Sequence, residues 1–390
     1  MYTKAFFDEP FDRRGTASVK WDVMAETQSR ETNPMWIADM DFRCPKEIPE
    51  ALMKRAAHAA YGYTEQTKAA TQAMLDFMQR RHGVRLKEQD QILMPCVVTG
   101  LRAAVLSLTE PGDRVIVQPP VYGPFYASVA DNGRQAAECP LKHREDGFYQ
   151  MDLDAVEQAC REGAKLMLLC NPHNPVGRAW TKEELTALLD VLNRYQVPLV
   201  SDEIHEDFVY EKNGFVPVLT LATGEDAQVL SLTSASKTFN LAGLQQAVAM
   251  SRNHELLHRV EKTMQNAGVV QGNIFGLIAT EAAYLYGDQW LDTLLDYIKE
   301  GEGILRARLK ELLPKAVISP LQATYLAWVD LRAYGFTTEQ LMERCRAQGV
   351  EFTPGTFFGQ AGDGFLRVNL ACPHQRVMDA AERLAKAVLA

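Results

Sequence analysis

The run Lys165-Leu-Met-Leu-Leu-Cys170 is too short for a helix, is apolar from its second residue on, and stops against Asn171-Pro172. A strand apolar on both faces belongs in a parallel sheet covered by helices on both sides. Two further short runs, Arg114-Val-Ile-Val-Gln118 and Val197-Pro-Leu-Val-Ser201, read as companion strands, and helical patterns alternate with them. From about 45 to 285 the chain is therefore expected to be an α/β domain with a mainly parallel sheet. Thr181-Lys-Glu-Glu184 has the form of a capping box and opens a helix through Tyr195, with Leu185, Leu188, Leu189 and Leu192 on one face. After about 290 the pattern changes to a long charged helix, an alternating strand near Ala323-Thr-Tyr-Leu-Ala-Trp-Val329 and a final helix from Gln375. The expected division is an N-terminal segment 1–44 joining the smaller domain, a large domain 45–285, and a small α+β domain 286–390, because 390 residues exceed one ordinary core.

Charge and composition exclude several classes of partner. With 41 basic and 50 acidic residues the formal charge is −9, which offers no electrostatic footprint for nucleic acid or acidic lipid. The first residues, Met1-Tyr-Thr-Lys-Ala-Phe-Phe-Asp-Glu-Pro10, place acids where a signal peptide has its apolar run, and no stretch reaches membrane-spanning length, so a cytoplasmic location is expected. The seven cysteines are scattered without a C-x-x-C pair, so they read as buried reduced thiols, with neither a disulfide framework nor a metal site.

The chemistry concentrates in three segments: Asn171-Pro-His-Asn-Pro-Val-Gly177, Ser201-Asp-Glu-Ile-His205 and Ser234-Ala-Ser-Lys-Thr-Phe-Asn240. Their order and spacing supply what pyridoxal phosphate requires: a Schiff-base lysine, a partner for the pyridine nitrogen, and hydroxyls for the phosphate. Lys237 stands among small and hydroxylated residues, Ser234, Ser236 and Thr238, as a turn beneath a phosphate would. Asp202 closes a strand, where ligands of open α/β sheets collect and a carboxylate can pair with a protonated pyridine; taken singly it reads equally as a capping or loop aspartate. Asn174 can donate its amide to the ring's phenolic oxygen or simply belong to a proline-bracketed turn.

Together these positions resemble the fold-type I pyridoxal-phosphate enzymes of the aminotransferase class I/II superfamily. The separations, 28 residues from Asn174 to Asp202 and 35 from Asp202 to Lys237, are close to that family's. The resemblance implies a large domain with a mainly parallel seven-stranded sheet between helices, plus the smaller α+β domain. It also implies that Val98 and Thr99, in Val97-Val-Thr-Gly100, lie at a phosphate-binding helix start, although Thr99 alone reads as an ordinary N-cap. Tyr122 matches the aromatic that stacks on the ring, and Tyr63 the tyrosine that reaches the neighbouring subunit's phosphate, which requires a homodimer. Arg367 corresponds to the arginine that takes the substrate carboxylate through a bidentate fork. His205 stands where many relatives have a tyrosine near the ring oxygen, or is a hydrogen-bonded structural histidine.

Within that superfamily several strings resemble the MalY/PatB-type cystathionine β-lyases: Val19-Lys-Trp-Asp22, Met35-Trp-Ile-Ala-Asp-Met-Asp-Phe42, Pro119-Pro-Val-Tyr-Gly-Pro-Phe125, Ser236-Lys-Thr-Phe-Asn-Leu-Ala-Gly-Leu244 and Gly364-Phe-Leu-Arg-Val-Asn-Leu370. Gln245 stands where many transaminases carry a phosphate-binding arginine, and Gly100 departs from the subgroup's small apolar residue. The implied reaction is α,β-elimination from a sulfur amino acid, with Lys237 as acid/base, Lys237 or Tyr122 protonating the leaving thiol, Arg367 and Asn174 on the substrate, and the backbone around Ile37 and Ala38 beside its carboxylate. The rival reading is an aminotransferase acting on an amino acid and a 2-oxo acid with the same residues.

Overall fold

The computed structural model describes residues 2–29, 31–210, 214–269 and 272–390. Seven strands form the large sheet: β1 (Gln91–Met94), β2 (Arg114–Val117), β3 (Gln135–Glu138), β4 (Leu166–Cys170), β5 (Leu199–Asp202), β6 (Val229–Thr233) and β7 (Ala247–Met250). They lie in the order β1-β7-β6-β5-β4-β2-β3. β7 runs antiparallel to β1 and β6, and the remaining pairs are parallel.

Strand periodicity divides the apolar run of β4 between two cores. Met167 and Leu169 join the core that contains Leu185 and Leu188 of the Lys182–Arg194 helix. Leu166, Leu168 and Cys170 join the other, with Leu101, Ala104 and Val105 of the Val97–Leu108 helix. Both faces are filled, as the unbroken apolar run predicts. The capping box forms as read: Glu184 N–H donates to Thr181 Oγ1 at 3.2 Å and Thr181 N–H to Glu184 Oε2 at 2.9 Å.

The smaller sheet is antiparallel, in the order β8 (Val317–Ile318), β9 (Leu326–Asp330), β11 (Phe365–Asn369), β10 (Thr353–Pro354). It is accompanied by the Asp288–Leu312 and His374–Leu389 helices. The N-terminal segment joins this part of the molecule, since Asn33–Pro34 pairs in parallel with Val350–Glu351. No helix among the described residues is long and apolar enough to cross a membrane.

Three expectations need correction. The strand expected from Ala323 begins only at Leu326, because Thr324 takes a left-handed φ of +68°. It also lacks an exposed face: Trp328 stacks on Phe365 at 4.9 Å and donates Nε1–H to the Tyr149 hydroxyl at 3.1 Å, which buries it against the large sheet's loops. The helix begins at Val97, inside the segment read as its start, but with Cys96 as its N-cap, so Thr99 lies in the first turn and is not the cap. The reading of all cysteines as buried fails at Cys96, which is exposed, and at Cys44, which is half-buried. Gly100 has a reason as well: a Cβ there would run into Met94 Sδ and come within 3.2 Å of Leu232.

The capping box is peripheral to the cavity described next, so Thr181→Ala should cost about 1 kcal/mol of stability. A thermal melt should record that loss while turnover stays at the wild-type rate.

Candidate active site

The parallel strands converge on a cavity of about 480 Å³. Register explains the convergence. Cys170 of β4 pairs with Asp202 of β5, and Asp202 with Leu232 of β6, so β4 and β5 finish in one row and β6 one residue beyond it. Just beyond that row stand Asn174, Asp202 itself and Lys237, and all three line the cavity. So do Ala38, Val98, Tyr122, His205, Ser234, Ser236 and Arg367. Two residues singled out by sequence are not brought there. Thr99 sits in the same helical turn, with its hydroxyl 3.3 Å from Cys96 Sγ. Tyr63 is fully exposed, at 103 % of its reference area, in the segment between two helices.

Lys237 is held on a one-turn helix, Ala235–Thr238. Both flanks of that turn are anchored by buried carboxylates. Thr238 donates its hydroxyl to Asp207 Oδ2 at 2.7 Å, and Thr233 donates to Glu206 Oε1 at 2.5 Å. His82 Nε2 lies 2.9 Å from Asp207 Oδ1. Burial pushes Glu206 up, and the neighbouring acids, with Asp207 hydrogen-bonded to the ring, hold His82 above its usual range against burial. Sequence reading missed this trio, because nothing at positions 82, 206 and 207 signals that they meet.

The Lys237 amine donates to the Ala38 carbonyl at 2.7 Å. Burial lowers its pKa, opposed by the charges of Asp39 and Asp202, which favours the neutral nucleophile. Asp202 accepts one bond, from Ile204 N–H at 3.2 Å. Burial raises its carboxyl to about 7. A buried acid with so little compensation calls for a cation, such as a protonated pyridine, to keep it charged. His205 is pushed down to about 3 by burial and by the Lys237 and Arg367 charges, so it is a neutral ring. It meets Tyr325 and Phe208 edge-on, with centroids 5.7 and 6.4 Å away.

Arg367 is 3 % exposed and, among the described residues, has no ion pair. Its Nη1 donates to Asn174 Oδ1 and its Nη2 to the Trp36 carbonyl and Thr353 Oγ1, each at 3.1 Å, while its Nε finds no acceptor. A buried guanidinium satisfied only by neutral groups is a strong anion receptor. Burial depresses its pKa to about 10, still fully charged at neutral pH. Trp36 and Thr353 were not singled out by sequence; each acts through a contact with Arg367 that only the fold creates.

These groups fit pyridoxal phosphate. The cavity offers an amine, a carboxylate short of donors, and the free N–H groups of the 12-residue Val97–Leu108 helix beside the Ser234 and Ser236 hydroxyls. The two hydroxyls are 2.6 Å apart, and Ser234 also donates to the Gln246 carbonyl at 2.6 Å.

Residues 37–384 match the family described as Aminotransferase class I and II. The chain belongs to that family. It is 39 % identical over 387 residues to cystathionine beta-lyase PatB of Bacillus subtilis, covering 98 % of this chain and 99 % of that one. Among solved structures, a PLP-bound putative aminotransferase from Clostridium difficile superimposes with a TM-score of 0.95 at 33 % identity, covering 98 % of this chain and 99 % of that one. The PLP-bound C-S lyase from Staphylococcus hominis superimposes with a TM-score of 0.90 at 28 % identity, covering 98 % of each. As a class I and II family member the chain has the seven-stranded, mainly parallel sheet that its sequence led one to expect.

The raised pKa of Asp202 gives a test of sign. In the cofactor-free protein the folded state keeps a proton that the unfolded chain releases near pH 4, so this contribution to stability is complete at pH 4 and is lost as pH rises through about 7. Asp202→Asn removes the dependence. The thermal midpoint of the cofactor-free variant should gain on the wild type from pH 5 to about 7 and level off above it, and a difference that stays constant from pH 5 to 7 would reject the assignment.

Proposed function

We propose that this protein is a pyridoxal-phosphate-dependent carbon–sulfur β-lyase of the cystathionine β-lyase type. It cleaves L-cystathionine or a related cysteine S-conjugate by α,β-elimination, and water completes the reaction to a thiol (homocysteine from cystathionine), pyruvate and ammonia. The observation that carries this reading is the convergence of Lys237, Asp202, Asn174 and an unpaired buried Arg367 on one cavity, in a chain whose relatives include PatB.

The cofactor, when bound, supplies an electron sink for the charge left at the substrate Cα. The chain's own residues do the rest. Lys237 holds the cofactor at rest and, once displaced, takes the Cα proton on Nζ. Asp202 would pair with the pyridine nitrogen and keep it protonated, which would stabilise the developing charge. Arg367 would grip the α-carboxylate in its fork and so orient the Cα–H bond toward Lys237. Asn174 would offer its amide to the cofactor's phenolic oxygen, and Tyr122, half-buried beside Phe357 with ring centroids 5.9 Å apart, would supply the aromatic face for its ring. The departing thiolate receives its proton from Lys237 or Tyr122; burial raises the Tyr122 pKa, which keeps its hydroxyl protonated. Val98, Ser234 and Ser236, with Tyr63 of a second copy of the chain, would hold the phosphate. The full exposure of Tyr63 fits that homodimer.

Incubating the loaded enzyme with L-cystathionine and no keto acid should release thiol, pyruvate and ammonia in equal amounts over many turnovers. A single stoichiometric burst that resumes only when a 2-oxo acid is added would establish the aminotransferase instead. Lys237→Ala should abolish turnover together with the absorbance of lysine-bound cofactor. Arg367→Ala, which removes charged hydrogen bonds to the carboxylate, should raise KM roughly 10- to 100-fold.

A further inference from the structure

Two strings that mark the sequence, Val19-Lys-Trp-Asp22 and Met35-Trp-Ile-Ala-Asp-Met-Asp-Phe42, meet in the fold away from the reacting groups. Lys20 is completely buried, at 0 % exposure. Its amine donates to the Asp39 carbonyl and to Asp41 Oδ2, both at 2.9 Å. Asp41, also buried, accepts from Trp21 Nε1 at 2.9 Å and from Arg376 Nη1 at 2.9 Å. This anchor secures one end of residues 36–41. The preceding carbonyls of the same strap serve the cavity: Trp36 accepts from Arg367 at 3.1 Å and Ala38 from Lys237 at 2.7 Å. Asn369 Nδ2 ties the carbonyls of Ile37 and Asp39 together at 2.7 and 2.8 Å.

We propose that Lys20 and Asp41 are positioning residues, whose buried pair fixes the main chain of residues 36–39 and thereby sets where Arg367 and the free amine of Lys237 stand. The inference rests on the assignment of Lys237 as the cofactor lysine. Stability alone is a poor account of this pair, since a buried ion pair barely repays its desolvation and Asp41 already has Arg376 and Trp21. What Lys20 adds is a charged second bond to the Asp39 carbonyl, the peptide oxygen next to Ala38, which it shares with Asn369. The charged and titratable groups facing Lys237 are Asp39 on the strap, Asp202 on β5, Arg367 on β11 and the neutral ring of His205. The Ala38 carbonyl and the Asp39 carboxylate both favour the ammonium, and both belong to the strap. Loosening it therefore lowers the pH at which Lys237 gives up its proton.

The test compares Lys20→Met with Lys20→Arg. Holoenzyme is stripped of cofactor and given pyridoxal phosphate back, and absorbance follows the return of the lysine bond across pH. Lys20→Met, a substitution of similar size that leaves Asp41 paired with Arg376, should move the midpoint of recombination to lower pH. It should also reduce kcat/KM on the order of a hundredfold, as expected when a catalytic group is displaced. Lys20→Arg, which retains charge and donors, should restore both. A folded Lys20→Met protein that melts earlier but keeps the wild-type midpoint and kcat/KM would overturn the proposal. If Lys20→Met does not fold, Asp41→Asn carries the same expectation with a smaller shift, and an unchanged midpoint there overturns it equally. Recombination does not depend on which substrate is cleaved, so a failure of the lyase reading would appear as a wild type without turnover and leave this result readable.

Discussion

The hydrogen-bonded row Cys170–Asp202–Leu232 is the constraint on which the site depends. Asn171 N–H donates to the Asp202 carbonyl at 2.9 Å and Glu203 N–H to the Leu232 carbonyl at 2.7 Å, so the ladder continues one residue past the strands and then opens. Parallel strands that end together leave their exit loops on one edge, and the side chains there face a common space. A one-residue slip of β5 would send Asp202 to the opposite face and leave Lys237 without its carboxylate. Glu203 helps to prevent the slip. Buried at 0 %, it accepts from Ser201 Oγ at 3.0 Å, Ser231 Oγ at 2.7 Å, Val218 N–H at 3.1 Å and Asn171 Nδ2 at 3.2 Å, which pins three strand ends to one carboxylate.

Against this edge the second sheet brings a single cation. Arg367 stands opposite Thr353 on the neighbouring strand, and that pairing places the threonine hydroxyl against the guanidinium. The Phe358 ring lies 4.9 Å from the guanidinium carbon. The site is thus assembled from two sheets and a strap: the large sheet carries Asn174, Asp202 and Lys237, the small sheet Arg367, and residues 36–39 bond to both Lys237 and Arg367.

Much of this arrangement was legible in the chain. The wholly apolar β4 and the capping box at Thr181 are local signals, and local physics suffices to read them. Asn174, Asp202 and Lys237 were legible because strand ends of a parallel sheet share an edge, so spacing along the chain becomes proximity in space. The alternating pattern of the Leu326–Asp330 strand does not show that Trp328 is covered, because its partner Tyr149 lies 179 residues away. The trio His82, Glu206 and Asp207 was invisible for a similar reason: a helix end and a loop meet only once the fold exists. Cys96 was read as buried because a cysteine usually is, yet it lies at the start of the Val97–Leu108 helix, where it lines the open cavity.

The strap bonds through its backbone. The carbonyls of residues 36 to 40 are all engaged by Arg367, Asn369, Lys237, Lys20, Arg13 or Asn240. The side chains of Ile37 and Ala38, which line the cavity, take no part in those bonds. Their identity is therefore decoupled from the geometry of catalysis. A lineage of such enzymes can exchange these residues, and with them the shape offered to the group on sulfur, while the reacting atoms stay in place: the wall can evolve and the machinery need not.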